Sequence, residues 1–171
     1  INQNYAWGQD SLRDFSLAMK VLLPKAKQAD KHQFPKLFSG QYGTEISALS
    51  RARENLVHSS FWGGDLEAFM GQAAARGLFK RKMFVFTVGE TVAYRLGEKF
   101  PQGIMVGTRG PYGMYVVDDP TPLNQWFQRE YRKTYGEPPA QPSYQYAQGV
   151  LAAKYAYDTS AKAAGKFPTT D

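Results

Sequence analysis

The clearest alternation of apolar and polar positions lies in Leu56–Gly77. Leu56–Phe61 is a short, mostly apolar run that suits a strand, and Trp62-Gly63-Gly64-Asp65 breaks it with two adjacent glycines. Leu66, Phe69, Met70 and Ala73 then recur at i, i+3, i+4 and i+7, the period of a helix with one buried face. Gly77 stands where a helix closes in the left-handed conformation. Asp65 falls in or near the first helical turn, where free N–H groups favour a carboxylate. It suits a helix cap as well as a ligand contact. In open parallel sheets, turns of this kind at the carboxyl ends of strands are where ligands bind.

The rest of the chain repeats the alternation of strand and helix. Ile1–Gly8 reads as a strand end and loop. Leu12, Phe15, Met19 and Leu22 mark a helix that stops before Pro24. Gln33–Phe38 is an edge-strand candidate, because Pro35 cannot donate to a ladder. Thr44 suits the cap of a short helix with Ile46, Leu49 and Ala52 inward. Met83–Thr87 is apolar throughout its body, the pattern of a parallel strand covered on both faces. A short helical turn within Val88–Gly97 and a strand over Gln102–Gly107 follow. Strand–helix–strand order at this spacing predicts an α/β fold in which Leu56–Phe61, Met83–Thr87 and Ile104–Gly107 are parallel neighbours.

From Thr108 the composition turns Gly- and Pro-rich, and two longer helices replace the strands. Thr121-Pro122 opens the first, with Leu123, Trp126, Phe127 and Tyr131 inward, and Gly136 closes it. The second runs from Ser143 to Gly165. With no strand expected after residue 117, Trp126, Phe127 and Tyr131 should be under-buried, since large apolar stripes need a cover. Ile1 and the turn-like end Phe167–Asp171 suggest a piece of a longer chain.

Composition narrows the function by exclusion. Hydrophobic residues make up 43% and charged ones 21%, ordinary values for a water-soluble fold. No apolar run reaches the roughly 20 residues of a membrane span, so no direct membrane insertion is expected. The formal charge of +6 is scattered, and its densest cluster, Lys80-Arg81-Lys82, suits a solvated loop better than a nucleic-acid surface. There is no cysteine, hence no disulfide, thiolate nucleophile or Cys-based metal site. His32 and His58 lack partners at metal-ligand spacing. Neither GxSxG nor a Walker A loop is present, and Gly97 to Gly103 does not follow the dinucleotide fingerprint. Nothing calls for a cofactor, a catalytic residue or an enzyme.

Four groups of residues carry a resemblance. Tyr5-Ala6-Trp7-Gly8-Gln9-Asp10 opens the chain; Ile46-Ser47-Ala48-Leu49 precedes Phe61-Trp62-Gly63-Gly64-Asp65; Leu96-Gly97 precedes Pro101-Gln102-Gly103. Phe127 through Tyr131, Tyr135-Gly136, Pro138 and Ala163-Ala164-Gly165 form the tail. In order and spacing these resemble the type 1 periplasmic binding proteins of the branched-chain amino-acid (Leu/Ile/Val) type, the solute receptors of ABC transporters. The resemblance implies a Rossmann-like parallel sheet flanked by helices, forming one lobe of a two-lobe chain that closes on a small ligand. Residues 1–107 would be the second lobe without its first strand, and residues 108–171 a crossover with helices belonging to the first lobe.

It further implies a periplasmic, or extracellular and membrane-tethered, receptor with two partners: a small-molecule ligand and the membrane permease of an ABC importer. Trp7 matches an aromatic that stacks on the ligand, Asp65 follows the GG pair, and Glu90 lies near an acidic contact for an amino group. Thr87 is the alternative to Glu90, with Trp62, Tyr5 and Tyr112 as further ligand-binding candidates. An amino acid, an amide and an aromatic acid all remain open as ligands. Other readings of the same sheet are the effector-binding core of a transcriptional regulator and a small-molecule enzyme on a flavodoxin-like fold.

Overall fold

The computed structural model describes residues 1–110 and 121–167. They form two compact units, Ile1–Thr108 and Arg109–Asp171.

The first unit is α/β. Helices α1 (Ala6–Leu22), α2 (Gly43–Arg51), α3 (Gly63–Ala75) and α4 (Glu90–Leu96) alternate with strands β1 (Leu56–Ser59), β2 (Met83–Phe86) and β3 (Met105–Val106). The sheet order is β1-β2-β3 and both pairings are parallel, as the spacing predicted. Register runs from Leu56 opposite Met83 to Ser59 opposite Phe86, then Val85 opposite Met105. The strands are shorter than the apolar runs: the regular ladder of β1 ends at Ser59 rather than Phe61, and β3 spans two residues.

Two further strips extend the sheet beyond β1 without becoming regular strands. The Ile1 nitrogen donates to the His58 carbonyl at 2.8 Å, while Asn2 and Asn4 donate to the Gln33 and Pro35 carbonyls at 2.9 Å. Residues 1–4 thus lie between β1 and residues 33–35, bonding alternately to each side. The expected strand Gln33–Phe38 is therefore an extended edge rather than a strand. Pro35 has no N–H to return a bond, so it serves only as an acceptor.

Helix starts also differ from expectation. α1 begins at Ala6, so Trp7 and Gly8 sit in its first turn, and α2 is preceded by Tyr42 rather than capped by Thr44. A Cβ on Gly8 would meet the Gln3 carbonyl oxygen at 2.0 Å, so only glycine lets α1 start this close to the preceding strip. At the other break Gly63 takes φ 54°, turning β1 directly into α3.

The core fills one face of the sheet. Phe84 and Phe86 point into it with Val57 and meet Ile46, Leu66, Phe69, Met70 and Leu78, all buried. A train of rings crosses the layer: Tyr42 to Phe61 at 5.1 Å, Phe61 to Phe69 at 5.4 Å, Phe69 to Phe84 at 6.0 Å. The opposite face is covered mainly where Phe15 of α1 stacks on His58, centroids 4.2 Å apart and 10° from parallel. Met83 and Met105 remain about half exposed, so the double cover inferred from the apolar run Met83–Thr87 is not what is observed.

The second unit contains α5 (Pro122–Tyr135) and α6 (Gln141–Ala164), each closed by a left-handed glycine, Gly136 and Gly165. Phe127 meets Tyr144 edge-on at 5.1 Å, and the Ser143 hydroxyl donates to the Tyr131 hydroxyl at 3.2 Å. Trp126 is 51% exposed and Phe127 and Tyr131 are half-buried, so the three are under-buried as expected. Among the described residues no strand follows β3.

Candidate functional site

Parallel strands bring all their carboxyl ends to one edge, and the chain places its indoles and hydroxyls there. Tyr5 and Trp7 follow the strip 1–4, Trp62 follows β1, and Thr87 follows β2. Trp62 Nε1 donates to the Tyr5 hydroxyl at 2.8 Å, and Trp7 Nε1 donates to the Ser60 carbonyl at 3.3 Å. All three rings are only half-buried. Indole N–H groups tied to neighbours leave the apolar ring bodies as the available surface.

Asp65 and Glu90 are placed differently from that rim. Asp65 is 4% exposed, and its Oδ2 accepts from Gln3 Nε2 and from the Phe38 backbone N–H, both at 2.8 Å. It is the third residue of α3, and no side chain caps that helix. The carboxylate therefore ties residue 3, residue 38 and α3 together. Burial first, and the neighbouring Asp65 carboxylate second, push the Tyr42 phenol up to about 12. Glu90 is 5% exposed, and its Oε2 accepts from the Gly89 N–H at 3.0 Å. Tyr112 lies outside the described residues.

Thr87 belongs to a polar triangle. Its Oγ1 lies 3.0 Å from both Ser11 Oγ and His58 Nε2, and Ser11 and His58 are 3.4 Å apart. Burial lowers the His58 pKa to about 4. The folded state therefore keeps the imidazole neutral, whereas the unfolded chain takes up a proton near 6.5. Stability should fall as pH drops from about 6.5 to about 4 and level off below, by roughly 3 kcal/mol. Urea titrations at stepped pH check this: His58→Gln should flatten the slope in that window, and an unchanged slope would exclude His58 as its source.

A cavity of about 460 Å³ lies elsewhere in the first unit, among Leu12, Phe15, Met19, Leu49 and Leu56. It sits against the amino end of β1 and its walls are largely aliphatic. The carboxyl edge is the better ligand candidate, because aromatic faces and hydroxyls from separate loops converge there. Among the described residues no group of three His, Cys, Asp or Glu side chains is arranged to hold a metal. No helix among them is long and apolar enough to cross a membrane.

The family model described as periplasmic binding protein matches residues 1–171. The chain belongs to the periplasmic binding protein family. A similar solved structure is an amino acid ABC transporter substrate-binding protein from Pseudomonas fluorescens Pf-5, with a TM-score of 0.59 and 16% identity. The match covers 82% of this chain and 36% of that one, so the chain spans about a third of that protein's length. At this identity the likeness shows the fold. No curated protein matches the sequence. Family and structural neighbour are both described as binding proteins.

Three neighbours of this periplasmic binding protein edge were not among the sequence candidates. Ser11 lies one helical turn beyond Trp7, a spacing that could have revealed it. Gln3 and Phe38 gave no signal, because both are defined by their bonds to Asp65 across the fold.

Proposed function

We propose that the chain is part of an extracytoplasmic solute receptor that presents a small amino-acid-like or aromatic-acid ligand to the membrane permease of an ABC importer. The observation that carries this reading is the convergence of Tyr5, Trp7 and Trp62, from separate elements, at the carboxyl edge of the sheet. Half-buried rings with their polar atoms already engaged suit a ligand that covers them on closure. Trp7 is the principal stacking residue, with Tyr5, Trp62 and Thr87 beside it. Asp65 and Glu90, both buried, act as positioning residues beneath them. Tyr112 remains a candidate contact at the crossover.

In this reading residues 1–107 form most of the second lobe, and residues 108–171 cross over and pack on the first. Support comes from α5 and α6, which leave Leu123, Trp126, Val150 and Tyr155 exposed, an apolar surface suited to a partner layer. Binding rather than catalysis fits the edge: the Ser11 and Thr87 hydroxyls lie beside His58 Nε2, but among the described residues no partner on His58 Nδ1 orients that ring as a base.

The test is a thermal-shift screen of the full-length protein against amino acids, aromatic acids and amides. A true ligand at about a hundred times its dissociation constant adds roughly 2.7 kcal/mol of stability. Trp7→Ala should then weaken binding by about 1–3 kcal/mol, tenfold to a hundredfold, and leave the fold largely intact. Trp7→Phe, which keeps a flat ring and gives up the indole bond to Ser60, should retain most of the affinity. Unfolding of Trp7→Ala with unchanged affinity in the folded fraction would make Trp7 a core residue.

A further inference from the structure

We propose that Phe38, with Trp62, forms an aromatic corner that selects ligands carrying a planar aromatic group. The proposal rests on the receptor reading above and specifies the substrate class of that site. Phe38 is the one non-glycine residue at positive φ among the described residues, at 60°. A side chain with a Cβ adopts that conformation at a cost, so something must hold it there. The holder is visible: the Phe38 N–H donates to Asp65 Oδ2, a buried oxygen that also binds Gln3.

That restraint does not serve packing. The Phe38 side chain is 72% exposed, so the strained backbone is not offset by burial of the ring. What the conformation does achieve is placement. The Phe38 ring meets Trp62 at 6.2 Å and 79°, and Trp62 is itself held by the Tyr5 hydroxyl. Two rings at nearly right angles make a corner: a flat group laid on one ring meets the edge of the other. Both contacts are favoured arrangements of aromatic quadrupoles, and an aliphatic group of equal size gains neither. The acid at this corner, Asp65, is buried with its Oδ2 accepting from the Phe38 N–H and Gln3, so discrimination there rests on ring shape.

The experiment is calorimetric titration of the full-length protein with pairs that share a head group: benzoate and cyclohexanecarboxylate, benzamide and cyclohexanecarboxamide, phenylalanine and cyclohexylalanine. The aromatic member of at least one pair should bind about tenfold tighter or more. Phe38→Leu, which keeps an apolar side chain without a planar ring, should reduce that preference to within about twofold and leave the aliphatic partner's affinity unchanged. Phe38→Gly relaxes the backbone, so it should raise the melting temperature while also losing the preference, and it serves if Phe38→Leu fails to fold. Equal affinities within every pair, or a preference that survives both substitutions, would overturn the corner and leave the receptor standing. Binding of none of the six, with a ligand found in the wider thermal-shift screen, would overturn the corner and leave the receptor standing; no ligand in either would overturn the receptor reading and the corner with it.

Discussion

Phe69→Ala is expected to lower the unfolding free energy of the first unit by about 3–5 kcal/mol, the range for truncating a fully buried aromatic. Phe69 lies on α3 with no exposed surface and meets three other rings: Tyr42 at 5.9 Å, Phe61 at 5.4 Å and Phe84 at 6.0 Å. Those partners come from the residue preceding α2, from the β1–α3 turn and from β2, so the ring joins the helical layer to the sheet. None of the three can move into the vacated space without losing another contact in the same train. Domains of this size are stable by only about 5–15 kcal/mol, so the variant should unfold at much lower urea concentration. Equilibrium urea unfolding followed by far-UV circular dichroism measures it. A loss below about 1 kcal/mol would mean that the layer repacks freely.

Removing the Asp65 side chain should come close to that effect by a different route. Asp65→Ala leaves the Gln3 amide and the Phe38 N–H without their acceptor in a buried site. An unsatisfied buried donor costs about 1–3 kcal/mol, so a loss of roughly 2–5 kcal/mol is expected for the two together. Asp65→Asn retains an acceptor oxygen and should cost roughly half as much. A double-mutant cycle with Phe38→Gly adds a sharper test. If the carboxylate holds residue 38 in its left-handed conformation, glycine there should reduce the cost of Asp65→Ala, because glycine adopts that conformation unaided. Strict additivity would show that Asp65 acts on the two strips independently of the Phe38 backbone.

Periodicity in the sequence was enough to place α3, α5 and α6, since each carries apolar residues at helical spacing and each is followed by a residue able to close it. Gly77, Gly136 and Gly165 all take the left-handed conformation. The parallel order of the strands was equally legible, because short apolar runs separated by helices admit few connections. The ordered motifs also carried the periplasmic binding protein family. The resemblance nominates Tyr5, Trp7 and Trp62, and chain order puts each after a strand or in the turn that follows one.

Charge placement was decided by the tertiary structure. An acid in the first turn of a helix reads the same whether it faces solvent, a ligand or a neighbouring loop. Asp65 became an internal tie only when Gln3 and Phe38, 62 and 27 residues away, were brought to one oxygen. Strand coverage was decided in the same way: an apolar run such as Met83–Phe86 states that both faces tolerate burial, while only packing leaves Met83 half exposed. Phe38 makes the distinction plainest. Its left-handed backbone depends on a bond to a carboxylate from a distant helix, and no local preference of phenylalanine foreshadows it. Propensity and period act over a few residues and can be read along the chain. Hydrogen bonds between distant strips depend on which surfaces meet, and that is set only when the fold closes.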